Sequence, residues 1–329
     1  SLQGDIKAFN GLLPNGMQLQ GDFSSTVDIA WEPEASFSLE GALKARELRT
    51  TRRYGKGERV DVTWQAIDLE LQRQGAGLAL DARVLREGRQ VLSVAVMLPT
   101  SSQGPLSGDL IFTELQLATL VPWLPEISQL AGSLTGKLSL AGSPAEPNAQ
   151  GRLRLEQAEV ELVSNPTQLK ALALDLTLNG QSAVISGSGL LGGGKVELKG
   201  QVLAHPQLRV ELAVSGDHHQ ILMPPSSEIL VSEELTLVLT QGLLDVRGEV
   251  RVHEGVLRHK ELPVGSVGLS REVVIVDTLG NVIENESPFD VSVDIWLRIR
   301  DRFRVEGEGV RATLGGELHV TQVPGEEPQ

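Results

Sequence analysis

Leu244-Asp245-Val246-Arg247-Gly248-Glu249-Val250-Arg251-Val252-His253 decides the fold. Leu244, Val246, Val250 and Val252 share one phase of a two-residue period, and Asp245, Arg247, Glu249, Arg251 and His253 hold the other. A strand sends successive side chains to opposite faces, so this segment carries one aliphatic face and one charged face. The period recurs in both directions. Val60, Val62 and Trp64 alternate with Asp61, Thr63 and Gln65, and Leu208, Val210, Leu212 and Val214 alternate around Arg209 and Glu211. Val291, Val293, Ile295, Leu297 and Ile299 stand opposite Asp290, Ser292, Asp294, Arg298 and Arg300. Antiparallel sheet wet on one side reads this way, whereas a buried parallel sheet reads as continuous apolar runs. The class is therefore all-β and mainly antiparallel, and α/β is excluded.

Composition agrees. Of 329 residues, 35 are Gly, and the aromatics are only 4 Trp, 1 Tyr and 6 Phe, so the 40% hydrophobic content is almost all aliphatic. Glycines such as Gly136, Gly142, Gly151, Gly180, Gly200, Gly242, Gly248 and Gly307 fall between or inside the alternating runs, where they fit turns, bulges or curvature. Asn179-Gly180 predicts a type I′ hairpin, and Gly192-Gly193-Gly194 a looser turn. Lys195-Val196-Glu197-Leu198-Lys199 after the triplet alternates as strand, so the helix that a phosphate cradle needs is absent. Asp plus Glu total 43 against 29 Lys plus Arg, a net charge of −14, which argues against nucleic acid as a partner. Cysteine is absent, removing thiolate chemistry and disulfides. No apolar run reaches the ~18 residues of a membrane-spanning helix.

One stretch breaks the period. Leu115, Leu117, Leu120, Val121, Leu124, Ile127 and Leu130, interrupted by Pro122 and Pro125, predict one or two short helical turns. It also exposes a repeat. Leu12-Leu13-Pro14 followed by Leu19-Gln20-Gly21-Asp22-Phe23 resembles Leu120-Val121-Pro122 followed by Leu130-Ala131-Gly132-Ser133-Leu134. Repetition of a supersecondary unit marks elongated β arrays. The expected organisation is residues 1–125 as an N-terminal β-groove repeat and 126–329 as a second segment continuous with it. Linker candidates are 142–148 and 280–288. Strands of about seven residues, ~23 Å long, stacked twenty or more deep at ~4.8 Å, would extend ~100 Å.

The aliphatic face must be covered. Leu208, Val210, Leu212, Val214, Leu244, Val246, Val250 and Val252 point one way, and burying each is worth about 1.5–3 kcal/mol. Leaving all eight wet would forfeit roughly 12–24 kcal/mol, against about 5–15 kcal/mol for the whole stability of a domain. Two covers satisfy this rule. The sheet folds on itself as a closed sandwich, or it curls into a trough whose walls do not fully meet, leaving an aliphatic lumen suited to acyl chains.

Catalytic chemistry is hard to find. The histidines are His205, His218, His219, His253, His259 and His319. Asp217-His218-His219 suggests a metal, but neighbours on a strand point to opposite faces, so no metal site is expected. His253, in the charged phase, is expected to be solvated. Carboxylate pairs such as Glu233-Glu234 or Glu284 with Glu286 follow from the acidity alone, and Gly187-Ser188-Gly189 reads as a turn rather than a nucleophile elbow. No enzyme activity and no cofactor are expected. Arg298, Arg300, Arg302 and Arg304, with Arg311 beyond, form a basic ladder; it is either a solvated face balanced by Asp290, Asp294 and Asp301, or a contact for anionic headgroups or an acidic partner.

The C-terminal half resembles a known family. Ser232-Glu233-Glu234-Leu235-Thr236-Leu237, Leu244-Asp245-Val246-Arg247-Gly248-Glu249-Val250, Leu262-Pro263-Val264 leading to Leu269-Ser270-Arg271-Glu272-Val273-Val274-Ile275-Val276, then Phe303-Arg304-Val305-Glu306-Gly307, Gly309-Val310 and Ala312-Thr313-Leu314-Gly315-Gly316-Glu317-Leu318 are similar in order and spacing to the TamB family, AsmA-like inner-membrane-anchored subunits of the translocation and assembly module of diderm bacteria. The resemblance is clearest from about Leu130 to Val320. It implies an elongated, curved β-groove in the periplasm (a β-taco) with an aliphatic interior, which favours the trough. It implies transfer of phospholipids between the inner and outer membranes, and assembly of some outer-membrane proteins. It also implies a carboxyl-terminal region that engages the outer-membrane barrel partner TamA. The family's anchor is expected to lie outside this chain, and its terminal partner-binding strands to continue beyond Gln329. The groove lining is expected at Leu153, Leu155, Leu174, Leu176, Leu198, Val210, Leu212, Leu237, Leu239, Val246, Val250, Val293, Ile295 and Leu297. The rival readings are a scaffold or chaperone for outer-membrane proteins working with an Omp85-type partner through β-augmentation, and a closed sandwich acting as a spacer.

Overall fold

A computed structural model describes residues 2–13, 17–32, 35–54, 58–75, 77–124, 127–163, 165–223, 227–258, 290–307 and 310–324. The family-like segments at 262–264 and 269–276, His259, Glu284, Glu286, Pro14, Pro125, Gly309 and the linker candidate 280–288 lie outside the described residues. The chain divides into two compact units, Ser1–Leu190 with Leu198–Pro206, and Leu191–Glu197 with Gln207–Gln329.

The first unit is a long antiparallel ladder. It holds β1 (Leu2–Asp5), β2 (Met17–Glu32), β3 (Ala35–Tyr54), β4 (Glu58–Gln74), β5 (Gly77–Arg86), β6 (Arg89–Pro99), β7 (Ser107–Gln116), β8 (Ile127–Gly142), β9 (Pro147–Leu162), β10 (Leu169–Gly180) and all of β11 (Ser182–Leu191) but its last residue, Leu191, which belongs to the second unit. From β2 to β10 each strand pairs antiparallel with the next, and β1 adds to β2. Residues 198–203 of β12 (Gly194–Leu203) belong to this unit and 194–197 to the other.

The ladder is curled. A 3-10 helix, Leu117–Trp123, packs against β3, β4 and β8 at once, and Arg52 on β3 donates from Nη1 to the Pro122 carbonyl at 2.9 Å. In a flat sheet β3 and β8 would stand about 24 Å apart, beyond the ~14 Å length of such a helix. Inside the curl, Leu19, Ala45, Leu48, Val62, Trp64, Val91 and Leu115 interlock as a buried core, with Ile6, Leu13, Phe112 and Leu134 packed on it.

The repeat is structural. A first 3-10 helix, Ile6–Leu12, precedes β2 as Leu117–Trp123 precedes β8. Gly21 (φ +140°) and Gly132 (φ +107°) both sit at breaks in register, facing Glu47 (φ 47°) and Gln157 (φ 50°) on the next strand. A Cβ on Gly21 would lie 3.0 Å from the Arg46 and Glu47 carbonyls; one on Gly132 would lie 2.7 Å from the Ala158 Cα. Positive φ and this close approach leave glycine as the residue each bulge accepts. Further register breaks, between Phe112 and Leu115 and between Leu169 and Leu172, carry the bulged line across β7 to β10.

The second unit holds β13 (Arg209–Met223), β14 (Ser227–Thr240), β15 (Leu243–Arg258), β16 (Asp290–Gly307) and β17 (Val310–Gln322). β13, β14 and β15 are antiparallel neighbours, β15 and β16 run parallel, and β16 and β17 are antiparallel. Among the described residues no helix is long and apolar enough to cross a membrane.

Several local expectations are corrected. Strands other than β1 run 10–20 residues rather than about seven, because interior glycines and bulges bend strands without ending them. Gly187-Ser188-Gly189 lies inside β11, where a Cβ on Gly187 would strike Leu174. Residues 142–148 form a tight β8–β9 hairpin closed by Ser143 and Glu146, whose backbone N–H groups donate to each other's carbonyls at 3.2 and 3.1 Å, and not a linker. Gly180 takes φ +73° but Asn179 does not join it, so the turn is not type I′. Gly192 (φ 52°) and Gly193 (φ 86°) make a tight two-residue turn instead of a loose one.

Candidate functional site

Register, which sequence does not supply, aligns the aliphatic residues of the second unit into rows. Leu212, Leu237, Val246 and Val293 are successive cross-strand neighbours on β13 to β16, flanked by the row Val210, Leu239, Leu244 and Val291. The next row is Val214, Leu235, Gly248, Ile295 and Val320, and then Gly216, Glu233, Val250, Leu297 and Leu318. Residues directly opposite each other lie on one face, so these rows form a largely aliphatic surface across β13 to β16 that β17 extends at Val320 and Leu318. In the first unit Leu155 faces Leu134 and Leu174, and Leu153 faces Gly136 and Leu176.

All fourteen predicted lining residues are half-buried: Leu153, Leu155, Leu174, Leu176 and Leu198 in the first unit, and Val210, Leu212, Leu237, Leu239, Val246, Val250, Val293, Ile295 and Leu297 in the second. A filled sandwich core would bury such residues almost completely. The eight aliphatics taken to require cover divide: Val252 is buried, Leu208 is 55% exposed, and the other six are half-buried. A cleft of ≈ 630 Å³ lies elsewhere in this unit, among Ile229, Leu230, Val256, Glu254, Arg302 and Arg304, and none of the fourteen lines it.

The aliphatic face carries one polar interruption that sequence reasoning missed. His219 is 0% exposed and Glu233 7% exposed, with His219 Nε2 3.2 Å from Glu233 Oε1. His219 Nδ1 lies 3.0 Å from the Leu191 carbonyl, which can only accept, so Nδ1 carries a proton and Nε2 meets the carboxyl. Nε2 approaches the Glu233 carboxyl without the geometry of a hydrogen bond, so the contact is one of charge and packing. Burial pushes the Glu233 carboxyl above its ordinary range, opposed by the neighbouring His219. The two side chains occupy the space over Gly216, where any Cβ would collide with both. Glu234, by contrast, points to the outer face and pairs with Arg251 at 3.1 Å, so the two adjacent carboxylates are split by the strand's own period.

The basic ladder is exposed on the outer face, and the partners seen among the described residues are glutamates. Arg298 pairs with Glu249 at 3.2 Å and Glu317 at 3.3 Å, and Arg302 lies 3.9 Å from Glu254. Asp294 instead holds His319 at 2.7 Å, whose ring stacks on Trp296 with centroids 4.3 Å apart.

The chain's likeness to known proteins lies in two stretches. A family model described as TamB, N-terminal domain, matches residues 3–155, and one described as TamB C-terminal domain matches residues 186–329. No solved structure matches. With both ends of the family's architecture present in order, on an all-β chain whose strands present aliphatic faces, this protein belongs to the TamB family, whose members are transport and assembly components of the cell envelope.

Proposed function

We propose that this chain is a segment of a periplasmic conduit that moves phospholipids between the inner and outer membranes, with acyl chains on its aliphatic strand faces. The observation that carries the reading is the half-burial of all fourteen predicted lining residues, nine of which fall in the cross-strand rows of β13 to β16. Such a surface is neither sealed by packing nor able to stand in water without loss, and a hydrocarbon tail satisfies it without placed polar groups. Acyl chains have no directional chemistry to read, which fits a face of Leu, Val and Ile.

A photo-crosslinking amino acid at Leu237 or Ile295 is expected to trap phospholipid in cells. Ile295→Arg places a charge in the face opposite Gly248, where the partner strand has no side chain, and is expected to abolish lipid capture while the chain still folds. Normal lipid crosslinking and an intact outer membrane in that variant would sink the conduit reading. A second reading rests on β17, exposed along 311–319 with Leu318 52% exposed: this strand suits a polypeptide or the TamA-type partner, and crosslinks from Leu318 to protein would support it.

A further inference from the structure

Two β-bulges on adjacent strands gather ionisable side chains on the outer face of the second unit. On β13 the register passes from Gly216–Glu233 to His219–Val231, so Asp217 and His218 together face Ser232 alone. A bulge re-aims side chains, and here the next residue, His219, resumes the inward direction. On β15 the register passes from Val231–Val252 to Leu230–Glu254, leaving His253 as the extra residue beside the same Ser232. His253 is accordingly half-buried and partnered, not solvated as its phase implied.

The resulting cluster is tight. His218 Nδ1 is 2.8 Å from Asp217 Oδ1, Ser232 Oγ is 2.9 Å from Asp217 Oδ1, and His253 Nε2 is 2.7 Å from Ser232 Oγ. The His218 N–H donates to Ser232 Oγ at 3.0 Å, fixing the bulge, whose His218 φ is 55°. The two imidazoles stack with centroids 4.4 Å apart at 6°. Serine stands between aspartate and histidine and is 2% exposed, so the order and access of a catalytic triad are missing.

We propose that Asp217, His218 and His253 form a binding site for a divalent transition-metal ion of the zinc class. Their ligand atoms all lie within 4.8 Å of one another, and a tetrahedral ion with bonds of about 2.0–2.2 Å spaces its ligands about 3.3 Å apart, a rotamer adjustment away. Two imidazole nitrogens and one carboxylate select zinc, copper or nickel over magnesium and calcium, which take oxygen donors. Burial, followed by the nearby charges of His218 and Arg300, holds His253 below its ordinary range, and hydrogen bonds from Ser232 and His218 hold Asp217 low. The exposure of Asp217 and His218 leaves the fourth position to water and makes the ion exchangeable.

The test is zinc titration of the whole chain, stripped with EDTA, in competition with a chromophoric zinc dye. One equivalent is expected to bind, weakened at least about tenfold, the scale on which even groups that merely orient a ligand act, by His218→Ala, His253→Ala or the shape-conserving Asp217→Asn. His319→Ala, which alters the separate pair with Asp294, is expected to leave binding unchanged. Absence of zinc binding, or equal binding in wild type and Asp217→Asn, overturns the site. X-ray absorption at the zinc edge showing two imidazoles supports it, and water ligands alone overturn it.

Discussion

Glu233 and His219 are where individual side chains depart most from their surroundings. Removing one member of a buried pair leaves the other uncompensated, so Glu233→Leu is expected to cost about 3–5 kcal/mol in urea unfolding. The double variant His219→Leu/Glu233→Leu is expected to recover most of that loss, since two aliphatics suit the face better than a lone imidazole. The pair also carries a pH signature. The Glu233 carboxyl is raised above its ordinary 4.5, so the folded chain keeps a proton that the unfolded chain releases. Its contribution is present below about pH 4.5 and is lost as pH rises through the folded value. Glu233→Gln is expected to flatten that fall in stability; an unchanged profile would show that the carboxyl titrates as in the unfolded chain. None of this was legible in sequence, where Glu233 is one of 43 acidic residues and its inward direction depends only on phase.

At the scale of elements, the bulges are the controlling device. The 111-residue offset between Gly21 and Gly132 is visible in the sequence, and it marks two equivalent 3-10 helix, strand and bulge units. A Cβ at Gly132 meets its neighbour at 2.7 Å, against 3.0 Å at Gly21, and both positions have positive φ. Gly132→Ala is therefore expected to destabilise by about 1–3 kcal/mol and by more than Gly21→Ala, read from the unfolding midpoints. Equal effects would mean that the backbone at β9 gives way as easily as that at β3. The same device explains why the metal-ligand candidates escaped the period rule. Alternation separates neighbours such as His218 and His219 correctly, but a bulge places Asp217 and His218 together, and His253 arrives from a strand 35 residues away.

At the scale of the whole molecule, two kinds of interior coexist. The first unit has a packed core in which Trp64 is 9% exposed, while the predicted lining residues stay half-buried. Trp64→Ala is expected to cost about 3–5 kcal/mol, whereas Leu237→Ala, with less contact to lose, is expected to cost under ~2 kcal/mol. Comparable losses would imply that the aliphatic rows of β13 to β16 are packed as a core, and the conduit would have no room. Sequence by itself determined the all-β class, the one-sided strands, the family and the lining candidates, because side-chain alternation is a property of each strand taken alone. Tertiary structure alone decided which aliphatics are sealed and which stay open, and which polar groups meet on either face. Those outcomes depend on register between segments distant in the chain, and one extra residue in a strand is enough to change it.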